Sequence, residues 1–208
     1  MTCGSLHGPS GYDDHASRSS KDLTVVAPLS DDALVRAQSG EPEAHSLIYR
    51  SLSPAVLGYF VGRRSEDPEA LTQEVFLSVF SKLESVSGGT AGLRSFVFSV
   101  AHARYVDEVR RRSRAPVVVG YDADADLRSS ASAETEALER LDAEDAGGML
   151  ATLNDEQRNV LLLRIVAGLP IDQVAAILGR SAGSVKQLQR RGLLKLKEYV
   201  QPNESEAL

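Results

Sequence analysis

The stretch of sequence that decides the fold reads VAAILGRSAGSVK, from Val174 to Lys186. The apolar run Ile171–Leu178 is typical of a short helix and ends at Gly179. Ser181 is then placed to cap a second helix, because its side chain can accept hydrogen bonds from the free N–H groups of the first turn. Two helices joined by a tight, glycine-containing turn form a helix-turn-helix, whose second helix is shaped to enter the major groove of DNA. The pattern therefore predicts a DNA-binding motif.

The distribution of charge supports this interpretation. Between Arg180 and Glu198, six Lys or Arg residues stand against one acid, although the net charge of the chain is −6. A second basic segment, Arg104–Arg114, has five arginines and two acids, whereas Tyr121–Ala146 has nine acids and two arginines. A negative net charge is compatible with DNA binding when the positive charges lie together on the surface that would contact the phosphates. We therefore expect two basic surfaces separated by an acidic segment.

Composition indicates an all-α, cytoplasmic protein without membrane insertion. The 208 residues are 42% hydrophobic, with many Ala, Leu and Val and few alternating apolar runs, which favours helices. No apolar run approaches the 18 or so residues of a membrane span, and the polar N-terminus lacks the apolar centre of a signal peptide. The single cysteine, Cys3, cannot form an internal disulfide, as fits a reducing compartment.

Shifts in composition predict two small helical domains joined by a flexible acidic linker, the second with the helix-turn-helix. The N-terminal segment is polar and without periodicity, and the linker is rich in Asp, Ala and Ser, which are features of flexible chain. The predicted parts are a disordered extension (1–26), a first domain (27–115), a linker (116–137), a second domain (138–201) and a polar tail (202–208).

Within the first domain, helical spacing and capping residues predict five helices and one loop. Ser30 would cap the first helix, and Pro54 would begin the third, since proline is tolerated in a first turn. The predicted elements are helices over Asp31–Gln38, Glu43–Ser51, Pro54–Arg64, Asp67–Leu83 and Leu93–Arg114, with a loop over Ser85–Gly92.

The order of these motifs resembles a known family. LTQEVF (71–76), then FVFSVAHARYVD (96–107) and three arginines (110–112), is similar to region 2 of extracytoplasmic-function (ECF) sigma factors. LNDEQRNVLLLR (153–164), GLP (168–170) and the helix-turn-helix are similar to region 4 of the same sigma-70 family. The resemblance covers Ser30–Tyr199. It implies a sigma factor that binds core RNA polymerase and directs promoter-specific initiation, with a probable anti-sigma factor as a further partner.

The resemblance also implies three binding surfaces, together with a loop over Ser85–Gly92 that helps to hold a flipped base of the −10 strand. The core polymerase-binding surface would contain Glu69, Leu71, Gln73, Glu74 and Phe76. The −10 DNA-binding surface would contain His102, Ala103, Arg104, Val106, Arg110, Arg111 and Arg112. The −35 DNA-binding surface would contain Ser184, Lys186, Gln187, Arg190 and Arg191.

Several positions depart from the family pattern, among them LQRR (188–191) in the last helix. Ala70 stands where an acidic residue usually precedes Leu-Thr-Gln, so one polymerase contact is expected to be missing or supplied by Glu69. Ser99 and Ala103 stand where Arg and Asn are common, so the resemblance does not define the −10 sequence preference.

Two other functions stay open at this point, while an enzyme is not expected. The sequence has no glycine-rich phosphate loop, no Cys/His cluster of zinc spacing and no nucleophile–base pair, so neither catalysis nor a cofactor nor a metal site is predicted. One alternative is a helix-turn-helix transcriptional regulator. The other is a sigma-like decoy that binds an anti-sigma factor without supporting transcription, an interpretation that Ala70 and Ala103 keep open.

Overall fold

The computed structural model describes residues 29–114 and 146–200, and within those ranges all regular structure is helical, which confirms the all-α prediction. A 3₁₀ turn covers Leu83–Ser85, residues 146–151 are helical, and a π-helical turn, Leu162–Val166, continues α5. The helices are α1 (Asp31–Gln38), α2 (Pro42–Gly62), α3 (Pro68–Phe80), α4 (Gly89–Arg114), α5 (Asp155–Leu161), α6 (Ile171–Leu178) and α7 (Ala182–Val200). The predicted N-terminal extension, linker and tail lie outside the described residues, so the domain boundaries stay a prediction.

Side-chain caps fix where several helices begin. The Ser30 hydroxyl accepts a hydrogen bond from Ala33 N at 3.2 Å, which confirms the predicted cap of α1. Asp67 accepts from Ala70 N at 2.8 Å at the start of α3. Asn154 and Gln157 form a reciprocal capping box at the start of α5. These bonds satisfy N–H groups that have no partner within the helix.

The prediction of separate helices before and after Pro54 is wrong, because α2 runs unbroken through this residue. A proline inside a helix removes the hydrogen bond to the carbonyl four residues earlier, here that of Arg50. Both Pro54 and Arg50 are exposed, so this carbonyl can meet water. On the opposite side of α2, Ile48 and Val56 are fully buried. Burial of that face holds the helix together across the missing bond.

The predicted loop Ser85–Gly92 is shorter than expected, because α4 begins at Gly89 rather than at Leu93. Asp31 Oδ1 accepts a hydrogen bond from Thr90 N at 2.7 Å, so a side chain of α1 caps α4. Gly89 has a φ of +62° and a Cβ there would lie 2.6 Å from Asp31 Oδ1. Only glycine allows both the backbone conformation and the close approach.

The first four helices enclose a core that positions α3 and α4. Leu71, Val75 and Val79 on α3 are spaced four residues apart, a pattern that predicts one apolar face, and all three are buried. Tyr59 and Phe60 of α2 and Phe98 of α4 are fully buried and meet edge to face, with ring centroids 5.6 and 6.1 Å from Tyr59. We call this unit, residues 29–114, the N-terminal bundle.

Residues 146–200, here called the C-terminal bundle, contain the predicted helix-turn-helix. Gly179 ends α6 with a φ of +61°, and Ser181 Oγ accepts from Ser184 N at 3.2 Å. Val185 is fully buried on the side of α7 that packs against α5 and α6. A Cβ at Gly192 would lie 2.8 Å from Leu161 Cδ1, so the close packing of α7 on α5 requires glycine there. The motif is confirmed.

Candidate nucleic-acid and polymerase-binding surfaces

The proposed polymerase-binding residues divide into an exposed and a buried set. Glu69 and Gln73 are exposed on α3, and Glu74 is partly exposed. Leu71 and Phe76, by contrast, are only 4% and 2% exposed and belong to the core. The apolar pair therefore anchors α3, and the polar residues form its outer face.

A groove runs beside this outer face, between α2 and α3. It has a volume of about 330 Å³ and combines aromatic, aliphatic and polar walls. The lining residues are Tyr49, Ser53, Pro54, Leu57, Glu69, Thr72 and Gln73. An apolar groove edged by a carboxylate and an amide can receive a helix or loop that has an apolar side chain and a cation.

The candidate −10 residues of α4 are unequal in exposure. Ala103, Arg110 and Arg111 are exposed, and Val106 is half-buried. His102 is half-buried, with Nδ1 3.0 Å from the Tyr59 hydroxyl. Burial lowers the pKa of His102, and the nearby cation of Arg63 lowers it further. The imidazole is therefore kept neutral.

Two of the candidate −10 arginines are held by side chains outside their own turn of α4, whereas, among the described residues, Arg110 pairs only with Asp107 one turn earlier, at 3.7 Å. Arg104 donates to Ser78 Oγ at 2.7 Å and lies 3.8 Å from a carboxylate oxygen of Glu74. Arg112 lies 2.8 Å from Glu66 Oε1 and 2.9 Å from Glu108 Oε1. Both link α4 to the segment that carries α3, so their cations are already partly neutralised.

Glu108 is the buried centre of the second of these networks, with 3% of its surface exposed. Besides Arg112, it accepts a hydrogen bond from Glu66 N at 2.7 Å. Burial works to raise the pKa of Glu108, but the hydrogen bonds from Glu66 N and Arg112 outweigh it and hold the pKa below the usual value. A buried charge is tolerated when it is paired and hydrogen-bonded in this way.

The candidate −35 residues share one outward side of α7. Lys186, Gln187, Arg190 and Arg191 are exposed, and Ser184 is half-buried beside the cap. Gln189 faces inward and accepts a hydrogen bond from Arg164 Nε at 3.3 Å. Beside this side lies a groove of about 450 Å³ whose walls are Ile171, Lys186, Gln189, Arg190, Leu193, Leu194 and Lys197. The arrangement offers cations and an amide to a groove of DNA.

The two bundles are in contact next to His102, which no sequence pattern predicts. The Tyr59 hydroxyl lies 3.4 Å from Asn159 Oδ1, and Arg63 donates to the backbone oxygen of Asp155 at 3.0 Å. Arg63 is 5% exposed and also stacks 4.0 Å above the ring of Tyr105. These partners are about a hundred positions apart, and no local pattern signals such a contact.

Two other features, a metal site and a membrane span, are absent from residues 29–114 and 146–200. No group of three or more His, Cys, Asp or Glu side chains is arranged to hold a metal ion there. The helices in that part of the chain are also too short or too polar to span a membrane.

The sequence and fold match characterised proteins over most of the chain. Residues 149–198 match the family described as Sigma-70, region 4. The ECF RNA polymerase sigma factor ShbA of Streptomyces griseus is 30% identical over 190 residues, which cover 86% of this chain and 97% of ShbA. The ECF sigma factor SigD of Mycobacterium tuberculosis is 24% identical over 187 residues, covering 87% of this chain and 88% of SigD.

A solved structure shares the fold. The structure of CnrH in complex with the cytosolic domain of CnrY aligns with a TM-score of 0.59 at 18% identity, covering 82% of this chain and 96% of that one. The helix-turn-helix lies within the segment that matches region 4, and the alignment to ShbA extends through both bundles. The chain therefore belongs to the ECF RNA polymerase sigma factors of the sigma-70 family.

Proposed function

We propose that this protein binds core RNA polymerase and directs promoter-specific initiation by recognising a −10 and a −35 element. The observation that carries the proposal is the near-complete alignment with an ECF sigma factor. Exposed polar or basic side chains on α3, α4 and α7 provide the surfaces that such a role needs. The protein would act in the cytoplasm, where polymerase and promoters are found.

Docking to polymerase is assigned to the outer face of α3 and the adjacent groove. Glu69 and Gln73 would make polar contacts, and the groove beside them would receive an apolar side chain of the partner. Leu71 and Phe76 would act indirectly, because burial of their side chains in the core holds α3 in place. Glu74 would have two roles, a polar contact to polymerase and an ion pair with Arg104 at 3.8 Å.

Recognition of the −10 element is assigned to the exposed side of α4. Arg110 and Arg111 are available for phosphates, whereas Arg104 and Arg112 mainly position α4 through their carboxylate partners. Ala103 and Val106 would lie against bases, with His102 beside them. Flipping a base out of the duplex costs a few kcal/mol of stacking and pairing, which such contacts must offset.

Recognition of the −35 element is assigned to α7. Side chains near the start of a recognition helix contact base edges most often, which favours Ser184, Lys186 and Gln187. Arg190 and Arg191 lie about one turn further on, nearer the walls of the groove. Their cations suit phosphates, which supply much of the affinity and its salt dependence.

The action proposed is non-catalytic and needs no cofactor. Docking, strand capture during opening and release after initiation would all depend on binding energy alone. Because an unattached sigma factor would compete for polymerase, we include an anti-sigma factor among the proposed partners. Membership of the ECF family supports this proposed partner.

Reconstitution with core polymerase tests the proposed function. The protein is mixed with core enzyme, co-elution is followed by gel filtration, and transcription is measured on a pool of genomic fragments. We expect co-elution and new transcripts that need the protein. Co-elution without transcription on any fragment would favour the decoy function that Ala70 and Ala103 keep open, and absence of both would contradict the proposal.

A further inference from the structure

Two side chains of α1 hold the short connection between α3 and α4. The chain leaves α3 through the 3₁₀ turn Leu83–Ser85 and enters α4 at Gly89. Residues 85–88, here called the α3–α4 loop, make this connection, and Ser85, Ser87 and Gly88 are exposed. A loop with so little burial needs support from elsewhere in the fold if it is to keep one shape.

Gln38, the last residue of α1, supports the start of this loop. Its amide Nε2 donates to Val86 O at 2.8 Å and to Leu83 O at 3.1 Å. An amide nitrogen carries two protons, so one nitrogen meets two carbonyl oxygens and fixes the distance between them. A side chain that only filled this half-buried space would need neither donor. Gln38 therefore holds the backbone of the loop in addition to packing beside it.

Asp31, the first residue of α1, holds the other end of the loop. Its carboxylate accepts a hydrogen bond from Thr90 N at 2.7 Å, and this bond keeps the pKa of Asp31 below its usual value. Between the two contacts, Leu34 and Ala37 are buried in the core. The eight residues of α1 place the contacts about 10 Å apart along the helix axis. One rigid element therefore holds both ends of the loop.

The middle of the loop packs directly on the first turn of α4. Gly92 N donates to Gly88 O at 3.0 Å. A Cβ at position 92 would overlap the carbonyl oxygen of Ser87, so this close approach requires glycine. With its ends held by α1 and its middle seated on α4, the loop presents Ser87 and Gly88 to solvent in one fixed arrangement.

A fixed loop at this position suits the capture of a base from the opened −10 strand. The loop stands at the start of α4, the helix to which −10 recognition is assigned. A base taken out of the duplex loses its stacking and pairing, so the groups that receive it must offset that loss. Groups that are ordered before binding do not lose part of the gain to their own ordering.

We propose that Gln38 and Asp31 are positioning residues for −10 recognition, because they hold the α3–α4 loop in the shape that receives a base flipped out of the −10 strand. The inference rests on the proposed function. Neither side chain is assigned a contact with DNA, and both act through the backbone at the ends of the loop. Substitutions in α1, which carries none of the candidate DNA-binding residues, should therefore alter base preference in the −10 element.

Substitutions in α1 separate the support of the loop from charge and packing. Gln38→Met keeps the length of the side chain but removes both donors, and Gln38→Glu replaces them with an oxygen that repels the two carbonyls. Asp31→Ala removes the acceptor for Thr90 N, whereas Asp31→Asn keeps an amide oxygen that can accept. Asp32→Ala is the matched control, because it removes the same charge from the same turn and the Asp32 carboxylate lies 3.9 Å from Arg36 within α1.

Base preference in the −10 element is the first measurement. Each full-length variant transcribes, with core polymerase, promoters defined by the wild-type transcripts and altered at one −10 base at a time. Preference is the ratio of transcription from the native base to that from its replacement, so a lower fraction of folded protein cancels. We expect Gln38→Met, Gln38→Glu and Asp31→Ala to lower this ratio at least about fivefold at one −10 position and to leave the −35 preference unchanged. Asp31→Asn and Asp32→Ala should keep the wild-type ratio.

A promoter that lacks the captured base provides the second measurement. An abasic site is placed in the −10 strand at the position where the preference relaxes. Because no base remains there for the loop to hold, the wild type and the Gln38 variants should transcribe this template equally at saturating protein. This is the logic of a double-mutant cycle, in which one change has no further effect once its partner is removed.

Four results would overturn the inference. The first is a set of Gln38 and Asp31 variants whose base preferences all equal those of the wild type. The second is a deficit that persists on the abasic template, because α1 would then support the fold or the polymerase contact and not the captured base. The third is an equal relaxation in Asp32→Ala, which would assign the effect to charge. The last is a wild type that gives no protein-dependent transcript, in which case the proposed function fails as well, a pattern distinct from failure of the inference alone.

Discussion

The guanidinium of Arg112 lies 2.9 Å from Glu108 Oε1, and this contact separates Arg112 from the other arginines at the end of α4. Glu108 is buried, and its carboxylate also accepts from Glu66 N. Arg111 is exposed and has no such role within residues 29–114 and 146–200. The same residue type therefore has a structural function at one position and is available to DNA at its neighbour.

Substituting these two arginines should affect the stability of the fold to different extents. Arg112→Ala leaves the Glu108 carboxylate buried without its cation, which should lower the free energy of unfolding by about 1–3 kcal/mol. Arg111→Ala, on the exposed side, should change it by less than about 0.5 kcal/mol. Urea denaturation of both variants measures the difference. Equal losses of stability would contradict the assigned roles.

The stability of the fold should depend on His102 in mildly acidic solution. Its pKa is lowered from 6.5, first by burial and then by Arg63. Between the lowered pKa and 6.5, the unfolded chain binds more protons than the folded one, so stability falls as the pH drops through that window. The stabilisation is complete above pH 6.5.

Comparison with His102→Gln isolates this contribution. Unfolding by urea is measured for both proteins between about pH 5 and pH 8, the range in which histidine titrates. We expect the variant to lose less stability than the wild type as the pH falls below 6.5. Parallel profiles for the two proteins would show that His102 is not the group responsible.

The outer face of α3 should be needed for polymerase but not for folding. Gln73→Ala combined with Glu74→Ala should weaken binding to core polymerase. The melting temperature should change little, because neither side chain is buried and the Arg104–Glu74 pair that is lost is a solvent-exposed contact at 3.8 Å, a kind that adds little to stability. Glu43→Gln, which removes an exposed charge from the first turn of α2, is the control. Core affinity is measured by fluorescence anisotropy. Equal affinities in the double variant, the control and the wild type would remove this face from the interface.

The −35 helix should show two kinds of effect. Lys186→Ala or Gln187→Ala should weaken the free energy of promoter binding by roughly 1–3 kcal/mol and relax the preference at one base position. Arg191→Ala should weaken binding to all sequences alike and lower the salt slope by about one, because it would remove a phosphate contact. Selection from a randomised promoter pool measures both. A change of preference in Arg191→Ala alone would mean that α7 lies in another register.

Much of the fold could be predicted because its signals are local. The cap at Ser30, the turn at Gly179 and the buried positions on α3 each depend on residues within a few places of one another. The prediction of a helix boundary at Pro54 failed because the rule for proline considers only the lost hydrogen bond. Burial of Ile48 and Val56 on the other side of α2 outweighs it.

Apart from the unbroken α2, the features that escaped sequence reasoning involve residues distant in the chain. Asp31 caps α4 across 59 positions, and Tyr59 meets Asn159 across 100. Family motifs located the three candidate surfaces, whereas only the structure distinguishes Arg112 from Arg111 within the −10 surface. Which residues of those surfaces touch a partner stays a prediction.

Sequencing the 5′ ends of transcripts made in a reconstituted reaction tests the central claim most directly. Core polymerase transcribes fragmented genomic DNA with and without this protein, and the sequences upstream of every protein-dependent start are aligned. We predict starts that appear only with the protein and share two sequence blocks, one near −10 and one near −35. Starts that do not change when the protein is added, or that share no upstream sequence, would contradict the claim that it directs promoter-specific initiation.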